Sequence, residues 1–159
     1  MIDHRLNIGD LIVSKNKDMT FTCFGLGSCI GLFLQDRITG ISGGAHILLP
    51  SEIESPNIFG QFYSVQSAIN ELLLQFKKRG SSLMTLRAKV TGGANVLSSD
   101  IEFATGKRNT ENVINNLIKN KIFIAASETG GQHARTAKFN CKTGELLVRK
   151  PDSEEINIY

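Results

Sequence analysis

Apolar positions in the first fifty residues come in short runs rather than in helical steps. Residues 11–13, 20–24, 30–34 and 41–49 are each apolar or alternating and are separated by polar and glycine residues. That pattern predicts strands. The connection 35–40 carries Asp36, Arg37 and Gly40, as a hairpin loop should. Residues 51–59 break the pattern and read as an exposed loop that could rim a binding groove. Phe62, Val65, Ile69, Leu72, Leu73 and Phe76 then recur at steps of three or four, the stripe of an amphipathic helix. Lys77, Lys78 and Arg79 followed by Gly80 suit its C-terminus.

Residues 86–91 read as a strand running into the turn Gly92-Gly93-Ala94-Asn95. A second helix is expected after Asn109 or Thr110, either of which can cap it. Its buried face would be Val113, Ile114, Leu117 and Ile118. A strand over 122–126 follows, then a hairpin pairing 136–140 with 145–149. The expected fold is a mixed α/β single domain over residues 1–150: largely antiparallel β-sheet layers with helices packed on one side. Residues 151–159 read as an acidic, loosely attached tail.

Composition narrows the function. A chain of 159 residues with 41% hydrophobic and 21% charged residues excludes a disordered chain, a collagen and a coiled coil. The formal net charge is only +3, and Lys77-Lys78-Arg79 is the one dense basic cluster. Nucleic acid is therefore not an expected partner. No apolar run approaches the ~20 residues of a membrane span, and Asp3, His4 and Arg5 do not open a signal peptide. A cytoplasmic protein without membrane insertion is expected. Three cysteines without a C-x-x-C pair, and three histidines without zinc-ligand spacing, predict neither a disulfide frame nor a metal site.

The candidate chemistry lies in Phe24-Gly25-Leu26-Gly27-Ser28-Cys29. Two glycines let the backbone turn sharply and bring amide N–H groups toward a ligand atom. A thiol on such a turn, with N–H donors from Gly27 and Ser28 beside it, is the arrangement a nucleophile and an oxyanion require. If 30–34 and 41–49 pair, Cys29 and His46 come to the same end, where a thiol–imidazole couple can form. The plainer reading is a buried cysteine and a hydrogen-bonded core histidine. A phosphate cradle is not supported, because Gly25-x-Gly27 lacks a third glycine and a Lys-Ser/Thr pair.

Residues 22–50, with Gly-Leu-Gly-Ser-Cys and Gly-Gly-Ala-His-Ile-Leu-Leu-Pro, resemble the CheD family of chemoreceptor glutamine deamidases. The likeness continues in Gly92-Gly93-Ala94-Asn95, Gly106-Lys107-Arg108-Asn109 and Gly130-Gly131-Gln132-His133-Ala134-Arg135, in the family's order. The resemblance implies a hydrolase that turns glutamines of methyl-accepting chemotaxis receptors into glutamates, with Cys29 as nucleophile and His46 as base and no cofactor. It also implies a CheC-type phosphatase as a partner. The family's third catalytic residue is a threonine where this chain has Cys23. Either Cys23 substitutes, or a bulge brings Thr22 inward, or something else orients the histidine. The other function class is a non-catalytic adaptor that binds receptors or a CheC-type protein. Arg108 and Asn109 are expected to anchor and cap the second helix, and His133 and Arg135 to orient the last hairpin or form surface contacts.

Overall fold

The computed structural model describes residues 1–51, 61–151 and 153–158, so the loop expected over 51–59 lies outside the described residues except for Ser51. Two five-stranded sheets face each other. The first contains β1 (Ile2–Arg5), β3 (Met19–Leu26), β8 (Arg135–Asn140), β9 (Leu146–Arg149) and β10 (Ile156–Ile158), in that order. The second runs β2 (Leu11–Ser14), β5 (Ser42–Ile47), β4 (Ile30–Asp36), β6 (Leu86–Gly92), β7 (Phe123–Thr129). Pairing is antiparallel except for β1–β3 and β6–β7, which are parallel.

Helices α1 (Val65–Lys78) and α2 (Asp100–Lys119) cover one face of the second sheet, giving the expected mixed α/β architecture with helices on one side. Ser64 caps α1 by accepting from the Ser67 amide. The stripe of Val65, Ile69, Leu72, Leu73 and Phe76 is buried as its spacing predicts. Among the described residues no helix is long and apolar enough to cross a membrane.

Three elements depart from expectation. Helix α2 starts at Asp100, not at Asn109 or Thr110, and is capped by the Ser99 hydroxyl accepting from the Glu102 amide at 3.0 Å. Gly106 sits inside the helix, where a Cβ would lie 2.8 Å from the Gly93 carbonyl oxygen. Close packing of α2 on the 92–95 turn requires the missing side chain. Ile118, assigned to the buried face, is exposed. Strand β1 escaped the pattern because Ile-Asp-His-Arg is polar and mostly exposed at a sheet edge. Within the segment read as a tail, Ile156–Ile158 pairs antiparallel with β9.

Because strand side chains alternate, the second sheet has two different faces. Ile30, Leu32, Leu34, Ala45 and Ile47 pack with the helices. Cys29 and Phe33 pack instead with Cys23, Leu26, Phe21 and Phe139 of the first sheet, and Phe33 stacks on Phe139 at 5.3 Å.

Candidate active site

Cys29 occupies the last position of the three-residue turn between β3 and β4, and His46 lies on β5. Their relation follows from register. His46 stands directly opposite Gly31, and Cys29 precedes Gly31 by two residues on the same face. Both side chains therefore point toward the first sheet as diagonal neighbours. Cys29 is 7% exposed and His46 4%, so water is largely excluded from both.

The histidine's tautomer follows from its partner. Nδ1 lies 2.9 Å from the Leu6 carbonyl oxygen, which can only accept, so Nδ1 carries the proton. Nε2 is then the basic nitrogen, and it is buried without a hydrogen-bond partner among the described residues. Burial lowers the His46 pKa, while the Leu6 hydrogen bond and the Asp10 charge act in the opposite direction. Burial pushes the Cys29 thiol up to about 11, with its own backbone amide opposing the shift. Burial thus disfavours the charged form of each group.

The turn carrying the thiol is held from behind. The Gly27 carbonyl accepts from the Ala94 amide at 2.7 Å, and the Cys29 carbonyl accepts from the Gly93 amide at 2.9 Å. The Ser28 carbonyl accepts from the Asn109 side-chain amide, also at 2.9 Å. In a trans peptide the N–H points opposite the C=O. Fixing the Gly27 and Ser28 carbonyls therefore fixes the Ser28 and Cys29 N–H groups, aimed away from the α2 side. Gly92 has φ +115, and a Cβ there would stand 2.1 Å from the Cys29 carbonyl oxygen. The glycine pair is thus the floor of the nucleophile turn.

Asn109 was expected to anchor or cap α2. It lies instead mid-helix and fully buried, and its amide also donates to the Leu48 carbonyl at 2.8 Å. One side chain thereby ties the turn before Cys29 to the chain two residues beyond His46. The Gly-Lys-Arg-Asn motif marked this position; only the location of α2 reveals its task.

Cys23 and Thr22 separate cleanly. Thr22 is buried, and its hydroxyl donates to Asp3 Oδ1 at 2.5 Å on the opposite face of β3. Cys23 points into the cluster that contains Cys29. Burial drives its thiol pKa far up, and the neighbouring Cys29 and Asp10 add to the shift. The bulge in β3 falls between Cys23 and Leu26, beyond Thr22, where Gly25 adopts φ +62 and Phe24 turns outward. Arg5 lies 4.9 Å above the Phe24 ring.

The row across the second sheet continues from His46 through Gly31 and Thr91 to Glu128. Glu128 receives Thr91 Oγ1 at 2.9 Å, Lys150 at 2.7 Å and the fully buried Arg135 at 2.6 Å. Burial alone would raise its pKa, but these donors hold it below the ordinary carboxylate value. Arg135 also binds the carbonyls of Gly130 and His133. It shapes the 130–134 loop, which rests on the glycine turn through Gly130 N to Gly92 O and Asn95 N to Gly131 O, both 2.9 Å. On the outer side the exposed Val96 lies beside Gly27, and Leu97, Ile101 and Phe103 are exposed apolar side chains around the start of α2.

The family described as CheD chemotactic sensory transduction matches residues 48–150. The chain is 34% identical over 145 residues to the chemoreceptor glutamine deamidase CheD of Thermotoga maritima, covering 91% of this chain and 90% of that protein. It is 33% identical over 150 residues to a probable chemoreceptor glutamine deamidase CheD of Clostridium tetani, covering 92% and 90%. Against the corresponding protein of Pyrococcus abyssi, identity is 35% over 149 residues, covering 92% and 90%. The chain belongs to the CheD family.

Proposed function

We propose that this protein deamidates glutamine side chains of chemotaxis receptors, with Cys29 as nucleophile and His46 as general base and acid. The observation that carries this reading is the buried Nε2 of His46, without a partner among the described residues and on the same sheet face as Cys29, in a chain of this family. Because burial disfavours both the thiolate and the imidazolium, the resting pair is neutral. Proton transfer therefore accompanies attack rather than preceding it.

Cys29 Sγ adds to the carboxamide carbon as its proton passes to Nε2. The N–H groups of Ser28 and Cys29, oriented by the bonds to their preceding carbonyls, are the donors assigned to the oxyanion. Collapse returns the proton to the departing nitrogen, so ammonia leaves and a thioester remains. His46 then takes a proton from water, which attacks the thioester and releases glutamate and the thiol. The Leu6 carbonyl holds Nδ1–H throughout, and the Asp10 charge favours the transient imidazolium. In this reading the backbone, rather than Cys23 or Thr22, orients the histidine.

The exposed Val96, beside Gly27, offers a receptor side chain an apolar contact at the edge of the turn. A cytoplasmic location suits three free cysteines, and the resemblance supports a CheC-type phosphatase as a second partner. The test is Cys29→Ala with receptor peptide: ammonia release and the amide-to-acid mass change should both fall to background while the thermal midpoint stays near the parent's. Activity near the parental rate would overturn the mechanism; an inactive parent protein that still binds receptor would favour the adaptor. The parent's rate should be flat near neutrality and fall on acidification as Nε2 takes up a proton, below the ordinary histidine value of 6.5.

A further inference from the structure

At the end of β4 remote from Cys29, the inner face of the second sheet carries a cluster that deamidation does not use. A cavity of about 430 Å³ there is lined by Arg37, Arg87, Lys89, Gln35 and Thr143, among others. Gln35 stands opposite Arg87, and Lys89 is the next inward position of β6. Six residues of strand separate Cys29 from Gln35, about 20 Å at the usual rise.

No ion pair among the described residues answers the charges in this cavity. Among the described residues none of Arg37, Arg87 and Lys89 makes an ion pair, and no lining residue is acidic. Lys89 Nζ donates to two neutral carbonyls, Gly144 at 2.7 Å and Ile158 at 3.3 Å. The Arg87 guanidinium lies 5.1 Å over the Phe123 ring, and its Nε–H is buried with no acceptor among the described residues. The Glu145 carboxylate, which accepts from the Thr143 hydroxyl and the Asn157 amide outside the cavity lining, is the negative charge that favours the Lys89 ammonium. Gln35 spends its amide on Ser42 and the Cys141 carbonyl.

We propose that this cavity binds a phosphate group, either as the free ion or as a small monoester. Two guanidinium groups and an ammonium are enough positive charge to answer a dianion, and arginine forks fit its oxygens in pairs. A single carboxylate would leave most of that positive charge unanswered. The cavity is larger than a lone phosphate and has room for a small attached group. Burial and the neighbouring Arg87 already disfavour the Lys89 ammonium, a tension that a bound dianion relieves.

The test titrates inorganic phosphate, and separately glycerol phosphate, into the full chain at ionic strength held constant with chloride. Saturable heat and a raised thermal midpoint are expected, with sulfate competing. Tighter binding of the ester assigns the source to a monoester, and equal or weaker binding assigns it to the free ion. Arg87→Gln should weaken binding by at least ~10-fold, since it removes a charged fork. Arg37→Gln, at an exposed position, should weaken it without changing the ligand-free midpoint. Both variants should keep the parent's rate of Cys29 alkylation, because the cavity is at the other end of the strand. No saturable response beyond chloride, or undiminished binding by the double variant, overturns the proposal.

Discussion

Against the helices, β4 and β5 present Ile30, Leu32, Leu34, Ala45 and Ile47; against the first sheet the same two strands present Cys29, Gly31, Phe33, Gly44 and His46. The helix side is entirely aliphatic at these positions, so its stability rests on volume and burial, and similar volumes can replace one another. The sheet side mixes thiols, an imidazole and glycines with stacked phenylalanines. Glycine marks close approach on both sides: a Cβ at Gly44 would lie 2.9 Å from Leu6 Cδ1, and one at Gly43, facing α1, 2.7 Å from Phe76 Cε2. What specifies the sheet side is a set of individual hydrogen bonds to backbone atoms, which no change of volume can reproduce. One sheet thus separates the work of holding the fold from the work of holding a reactive pair.

The sharpest way to break that comparison is to cut each face once. His46→Ala should lower turnover by ~10²-fold or more, the scale of general acid–base catalysis, with little loss of thermal stability. Leu72→Ala, on the α1 stripe, should cost about 2–5 kcal/mol of stability while the rate per folded molecule stays at the parent's. Denaturant unfolding and ammonia release measured on the same samples decide it. If His46→Ala unfolds the protein, or if Leu72→Ala slows the chemistry of the folded fraction, the two faces are not separable.

The same division explains what the sequence disclosed. Side-chain chemistry was legible: the apolar stripe of α1, the alternating strands, and a thiol and imidazole brought to one end by a hairpin. The first half of helix α2 was not, since Ile101 and Phe103 are exposed rather than packed and so leave no apolar stripe. Ser99-x-x-Glu102 carried a cap signal that marks the true start. The least legible feature is the partner of Nδ1. A backbone carbonyl such as Leu6 O leaves no residue type in the chain, so periodicity cannot point to it.

Asn109 sharpens the comparison, because it reaches the reactive side from the helix layer. Asn109→Asp keeps the shape but removes both donors to Ser28 and Leu48. Small displacements of reacting groups are costly to rate, so turnover should drop ~10-fold or more with KM nearly unchanged, and Cys29 alkylation should change in parallel. A fall in midpoint alone, with parental turnover per folded molecule, would make Asn109 a packing residue.

The smallest effect is expected at Cys23. It faces Cys29 within the inter-sheet cluster, but Nδ1 of His46 is already held by Leu6. Cys23→Thr should therefore leave turnover within ~3-fold of the parent, since the added hydroxyl replaces no bond that the histidine lacks at Nδ1. Its cost should appear as stability instead. A buried hydroxyl without a partner costs about 1–3 kcal/mol, whereas one that reaches the open Nε2 would spare that loss and draw the base away from Cys29. The pH–rate profile separates these outcomes, because a hydrogen bond donated to Nε2 lowers the pH at which the base takes up its proton. A rise in turnover well beyond threefold would mean that Cys23 limits the site, and that the orientation supplied by the Leu6 carbonyl is incomplete.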